Sequence, residues 1–229
     1  KTHTEHTYET FIAESLSKHG WQMRSCADTD WHMERALSPS EVLAFIQQTQ
    51  QPLWQQMHKQ HGDALGGMLI DALVKALDGG GLLHVLRQGF KFYGKRFLVA
   101  AFKPAHGLNP DTLARYAANT LCVTRQVPCH LDEHSQKRRP LDMVLSLNGL
   151  PFATVELKNP FTGQTVQHAI RQYQKDRDPR DIIFQFKKRA LVHFAVDPDE
   201  AWMCTRLQGQ HSRFLPFNRG SHPQTIGCG

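Results

Sequence analysis

The chain has 229 residues, a formal charge of +6 and a sequence pI near 9.2, with 40% hydrophobic residues. That length allows one large domain or a domain with an appendage, enough to enclose a sizeable core, and the basic balance favours polyanionic partners. No apolar stretch approaches the roughly 18 residues a membrane span needs and the amino terminus lacks a signal-peptide h-region, so a cytoplasmic protein with no membrane partner is expected.

In chain order, Tyr8, Phe11, Ile12, Ser15 and Leu16 form one stripe of an amphipathic helix that Gly20 stops, with Glu9 beside the stripe. Residues 21 to 37 look irregular. Ser38-Pro-Ser-Glu then starts a second helix, with Ser38 as cap, Pro39 in the first turn and Glu41 closing a capping box. A longer helix from Gly62 to Leu77 ends at Gly79-Gly-Gly81. Gly89-Phe-Lys-Phe-Tyr-Gly-Lys-Arg96 imitates a phosphate-binding loop, but Arg96 stands where a hydroxyl must hold Mg²⁺ and a strand, Phe97 to Phe102, follows where a helix is required. A turn between strands is the better reading. Asn109-Pro110 caps another helix, and Leu121 to Pro128 reads as a strand carrying Arg125 and Gln126, whose polarity fits either neutralisation at the core edge or contact with nucleic acid. Leu131 to Arg139 is polar and ends Gln136-Lys-Arg-Arg, a basic loop in which Arg138 and Arg139 are candidate phosphate contacts.

The next stretch carries the chemistry. Asn148-Gly149 lies between two apolar runs, the strongest short-range hairpin signal because both turn residues take φ > 0. Asp142 starts the first strand and Glu156 ends the second, so antiparallel pairing brings both carboxylates to one end, and Lys158, two residues on, shares the face of Glu156. Adjacent acids repel unless a cation holds them, and carboxylate oxygens with open positions suit Mg²⁺. A lysine beside such an ion can offset charge on a phosphate, the division of labour of metal-assisted phosphodiester hydrolysis. A solvated hairpin could carry these residues too, but Glu156 interrupts Phe152-Ala-Thr-Val-Glu-Leu-Lys, a run apolar enough to be buried, where a lone charge is costly.

Thr165 to Lys175 follows as a helix across the sheet, and Asp176-Arg-Asp-Pro-Arg-Asp181 as a charged breaker. Ala190 to Val196 is a nearly continuous apolar run, a central strand covered on both faces, in which His193 reads as a core residue. Ala201 to Leu207 can pair beside it, and 208–229, rich in Gly, Pro and Ser, wraps or links. Five cysteines, Cys26, Cys122, Cys129, Cys204 and Cys228, lack zinc-ligand spacing and read as free thiols. None of the fourteen histidines falls in a His-Glu-x-x-His motif. A start at Lys1 without methionine and an end at Cys228-Gly229 without a cap give the expectation of a fragment of a longer polypeptide.

Asp142, Glu156-Leu-Lys158 and the Asn-Gly-x-Pro between them resemble the PD-(D/E)xK nuclease core, and specifically the amino-terminal nuclease region of the restriction (R) subunit of type I restriction-modification enzymes. The likeness extends through Phe102-Lys-Pro-Ala, Asn109-Pro, Thr124-Arg-Gln-Val, Leu141-Asp-Met-Val and Phe214-Leu-Pro-Phe-Asn. It implies an α/β restriction-endonuclease-like fold, a mixed central sheet of about four to six strands flanked by helices. It divides the chain into a helical region with the start of the sheet (1–107), the nuclease core (108–207) and a segment leading toward an absent motor (208–229). It implies Mg²⁺ on Asp142 and Glu156, with Glu9 a candidate third ligand or an ordinary helix charge, and Lys158 assisting hydrolysis. The implied partners are double-stranded DNA and the methyltransferase (M) and specificity (S) subunits, with ATP used by the motor and not by these residues. Two departures stand out: Leu141 replaces the proline before Asp142, and Ala169 stands where relatives carry a glutamine four residues before Tyr173, with Gln167 and Gln172 out of that register. Gln172, Tyr173 and Gln126 are the remaining nucleic-acid candidates. A docking module with a vestigial acid cluster, or another nuclease of the same core such as a repair exonuclease, are the rival readings.

Overall fold

The fold is organised on the hairpin β5 (Leu141–Leu147) and β6 (Leu150–Leu157). In the computed structural model, which describes residues 2–129, 140–159 and 163–218, both turn residues are left-handed, Asn148 at φ 50° and Gly149 at φ 79°. That is the turn whose twist matches paired strands. Asn148 does more than turn the chain. Its backbone N–H donates to Thr120 O (2.9 Å), its Oδ1 accepts from Thr120 N (2.7 Å), and its Nδ2 donates to Val99 O (2.9 Å) and Asn119 Oδ1 (3.0 Å). Gly149 sits so close to the next element that a Cβ there would lie 2.5 Å from Ser38 O.

Five strands extend the hairpin into one seven-stranded mixed sheet: β1 (Gln22–Ser25), β4 (Leu121–Val127), β7 (Val192–Val196), β8 (Ala201–Cys204) and β9 (Leu215–Asn218), in the order β1-β4-β5-β6-β7-β8-β9. The pairs β1/β4 and β6/β7 are parallel and the other four antiparallel. The sheet is wider than expected because both edges come from segments without a strand signature. β1 lies inside the stretch read as irregular and is mostly exposed, so it lacks apolar alternation. β9 carries Pro216, which an edge strand tolerates and a central one does not.

Helix α7 (Val166–Lys175) packs Val166, Ala169, Ile170 and Tyr173 on one face of the sheet, against Val127, Leu141, Val144 and Phe184. Helix α1 (Thr2–Lys18) covers the other, setting Ala13, Ile12 and Leu16 against Val123, Met143, Val155 and Leu157. Alternation along β6 therefore sends Val155 and Leu157 toward α1, and Thr154 and Glu156 toward α7. Thr154 Oγ1 shares hydrogen bonds of 2.8 Å with both the Tyr173 hydroxyl and His193 Nδ1, so His193 is a core residue as expected.

A separate helical cap, α2 (Pro39–Thr49), α3 (Gln51–His61), α4 (Leu65–Gly80) and α5 (Leu82–Gln88), joins the small hairpin β2 (Phe90–Phe92) and β3 (Lys95–Phe97) around Leu150, beside the turn. Helix α6 (Pro110–Ala117) is capped as expected by Asn109, whose Oδ1 accepts from Asp111 N (2.9 Å) and Thr112 N (3.3 Å). The Ser38–Glu41 capping box does not form. Asp30 instead accepts from Ser40 N (2.6 Å), while Glu41 is drawn to Arg24 (3.0 Å). The strand expected to run to Phe102 stops at Phe97, where the Gln50 amide takes both backbone groups of Leu98 at 2.8 Å in place of a neighbouring strand. The false phosphate loop is the β2/β3 turn, left-handed at Tyr93 and Gly94.

Two outcomes follow from this packing. Replacing Asn148 by Ala strands Thr120 N and Val99 O in the interior, and should lower stability by about 2–3 kcal/mol in urea unfolding; a loss of a few tenths would show that the side chain is not a structural hub. Burial pushes the His193 imidazole down to about 3, so below pH ~6.5 the unfolded chain takes up a proton the folded chain refuses. Stability should therefore fall as pH drops from ~6.5 toward 3, by up to ~1.4 kcal/mol per pH unit. In His193→Gln that component of the slope should vanish; an unchanged slope would assign acid sensitivity elsewhere.

Candidate active site

Met143 pairs with Val155, so one residue farther out Asp142 opposes Glu156 at the open end of the hairpin. Opposed residues of an antiparallel ladder share a face, and this is the α7 face. The two acids meet different environments. Asp142 is half-buried and its Oδ2 accepts from Leu157 N (2.7 Å), which fixes the carboxylate across the strand pair. Glu156 has no exposed surface. Its Oε1 accepts from Arg177 Nε (2.7 Å) and is ion-paired with Nη2 (2.5 Å), and its Oε2 accepts from Gln172 Nε2 (2.7 Å). Burial pushes the Glu156 carboxyl up to about 8, helped by the neighbouring Asp142 charge, while Arg177 and Lys158 pull it back. Lys158 is also buried, its backbone N–H donating to Val196 O (2.9 Å) at the edge where β6 meets β7.

Asp197 follows β7 at the same end of the sheet. Its Oδ2 accepts from Val166 N (2.7 Å) and its Oδ1 from Asp199 N (2.9 Å) and Glu200 N (2.8 Å), so it anchors the start of α7. The helix that supplies Gln172 is thereby tied to the strand beside Lys158.

Arg177 was not foreseen. It lies in the run taken as a charged breaker, yet only 1% of its side chain is exposed, and it also donates to Pro140 O (2.9 Å) and contacts Cys129 Sγ (3.6 Å). The available signal was its spacing: four residues beyond Tyr173, it continues the stripe of Val166, Ala169, Ile170 and Tyr173 past the end of α7.

The other candidates divide. Glu9 is buried on α1, across the sheet, where it accepts from Arg125 Nε (2.6 Å) and Gln126 Nε2 (3.0 Å). Gln126 itself, left-handed at φ 54°, sits opposite Asp142 in the β4/β5 register, so Glu9 reaches the Asp142 end of the sheet through it. The neutralising role for Arg125 is the one realised by that pair. Tyr173 requires a correction: it is fully buried with its hydroxyl on Thr154, because its ring fills the core between α7 and β7, and it offers nothing to nucleic acid. Gln172 points at Glu156 instead of outward. Arg138 and Arg139 lie outside the described residues.

Among the described residues no three His, Cys, Asp or Glu side chains gather as a metal cluster. Asp142 and Glu156 fit a divalent ion by their chemistry. A carboxylate offers about four lone pairs, so the three donors on Glu156 leave one on Oε2, and Oδ1 of Asp142 carries none of the hydrogen bonds described here.

No described helix is long and apolar enough to cross a membrane. No curated protein matches the chain. Its residues 2–212 do match the family described as the type I restriction enzyme R protein N terminus. A seven-stranded mixed sheet between helices, of restriction-endonuclease type, with an acid pair at the mouth of its central hairpin, is the architecture that goes with that match, and the chain belongs to the type I restriction enzyme R protein N-terminal family.

Proposed function

We propose that this domain is the Mg²⁺-dependent endonuclease of a type I restriction enzyme R subunit, hydrolysing phosphodiester bonds in double-stranded DNA. The observation that carries this reading is the opposition of Asp142 and Glu156 at one end of the hairpin, with Lys158, buried two residues beyond Glu156, near enough for its charge to act on that carboxyl. Asp142 and Glu156 would hold the ion, which when bound supplies polarisation of the phosphodiester and of its attacking water. Lys158 offsets the charge that grows on the phosphate in the transition state. Leu157 N fixes the Asp142 carboxylate, and Arg177 and Gln172 fix that of Glu156, so both acids are held in position, and a bound cation would favour the ionised form of Glu156 that burial opposes. Glu9 is proposed as an outer support of the same end through Gln126, and Gln126, Arg138 and Arg139 as contacts to the DNA strand. Methyltransferase and specificity subunits would supply sequence recognition, and an ATP-driven motor outside these residues the translocation.

In the assembled restriction complex, Asp142→Ala and Lys158→Ala should each reduce Mg²⁺-dependent cleavage of plasmid DNA by about 100-fold or more while leaving subunit assembly intact. Undiminished cleavage would sink the catalytic reading, and silent substitutions together with loss of assembly on altering the outer helices would favour a docking role. Arg177→Met leaves Glu156 buried without its cation, and should cost about 3–5 kcal/mol in urea unfolding, with Arg177→Lys recovering part of the loss. A near-neutral Arg177→Met would show that Glu156 sits protonated and needs no partner.

A further inference from the structure

The basic cleft between α4, α5 and the β2/β3 hairpin belongs to no part of the catalytic end. It measures about 580 Å³ and is lined by Lys75, His84, Gln88, Lys91 and Arg96, together with small or apolar residues and no carboxylate among the described residues. Its charge is uncompensated for a structural reason. The acids nearest to Lys75 along α4, Asp71 and Asp78, are drawn away, Asp71 to Arg35 (2.7 Å) and Asp78 to the buried Arg189 (3.0 Å). Lys91 and Arg96 stand directly opposite each other on the small hairpin, an arrangement that repels across strands unless an anion lies between or beside them. The only hydrogen bond described for these three cations is a long one, from Arg96 to Gln88 Oε1 (3.4 Å). All three are exposed, so none contributes to the core.

We infer that this cleft binds the phosphodiester backbone of double-stranded DNA as a second contact, away from the scissile bond. The inference rests on the nuclease reading for its choice of polyanion. The cap that holds the cleft packs on Leu150, and Leu150 lies six residues along β6 from Glu156, about 20 Å at ~3.3 Å per residue. A duplex covers that span in about six base pairs at ~3.4 Å each. The Lys75, Lys91 and Arg96 contacts are to phosphate and carry no sequence information, which leaves recognition to other subunits.

The test is fluorescence anisotropy of a labelled 20-base-pair duplex with the 229-residue chain, in EDTA, over a salt series. The triple variant Lys75→Glu, Lys91→Glu, Arg96→Glu should weaken binding by about tenfold or more at 0.1 M salt and flatten the log–log salt slope by about 2 to 3. A control with equal charge change at exposed positions outside the cleft, Lys18→Glu, Lys59→Glu, Lys103→Glu, should shift affinity by about twofold or less. Equal losses in both would reduce the effect to bulk charge and overturn the proposal, as would unchanged binding in the cleft variant, which would point to a protein partner there. Competition by inorganic phosphate or ATP at low millimolar concentration would mark a small-anion pocket and overturn it too. The corresponding Lys→Gln and Arg→Gln set, checked by circular dichroism, keeps the test valid if charge reversal disturbs folding. Binding is read without metal and also on Asp142→Ala, so failure of the cleft and failure of the nuclease reading give different results.

Discussion

A carboxylate with no exposed surface must be held by something, and the ion pair between Glu156 and Arg177 is what the rest of this site depends on. Desolvating a lone carboxylate costs several kcal/mol, and the guanidinium returns part of that through a hydrogen bond from Nε and a close ion-pair contact from Nη2 to one oxygen. The pair also fixes geometry. Arg177 reaches Pro140 O just before β5 and Cys129 just after β4, so the strand that carries Asp142 is tied to the acid it opposes. The cation thus opposes the upward push of burial on the Glu156 carboxyl and helps set the spacing of the two acids, from a position that touches solvent hardly at all.

The two faces of the sheet divide the work. On the α7 side, Thr154, Tyr173, His193, Gln172 and Glu156 form a buried polar network grading from core to site. On the α1 side the contacts are apolar until the strand ends, where Glu9, Arg125 and Gln126 take over. Both networks surface at one end of β4, β5 and β6, while the helical cap closes the other. The acid pair and the cap are thereby separated along the strands.

What could be read directly from the amino-acid sequence was whatever depends on local rules. Asn148-Gly149 announces the hairpin because only a few residues accept two left-handed positions in a row, and the hairpin in turn places Asp142, Glu156 and Lys158. Asn109-Pro110 announces α6 in the same way. Long-range partners were hidden. Arg177 sits in Asp176-Arg-Asp-Pro-Arg-Asp181, a composition that reads as solvated, and its burial is decided by the sheet it folds onto. Tyr173, a nucleic-acid candidate by sequence, is enclosed by a core that only the folded sheet brings around it. Helix α3 and strands β1 and β9 carry too little periodicity to stand out, since α3 buries only Met57 and β1 nothing fully. Glu41 and Gln50 show the same limit, each recruited by a partner that local rules do not anticipate.

Both margins of the sheet bear on how the protein behaves in a crowded cell. An open seven-stranded sheet presents two rows of unsatisfied backbone groups, which invite strand addition from a neighbouring molecule. Here each rim is only four residues long, one interrupted by Pro216 and shifted in register against β8, the other carrying Arg24 at its middle. Short, kinked and charged borders make poor templates for strand addition, so among the described residues a broad β architecture carries little of that liability.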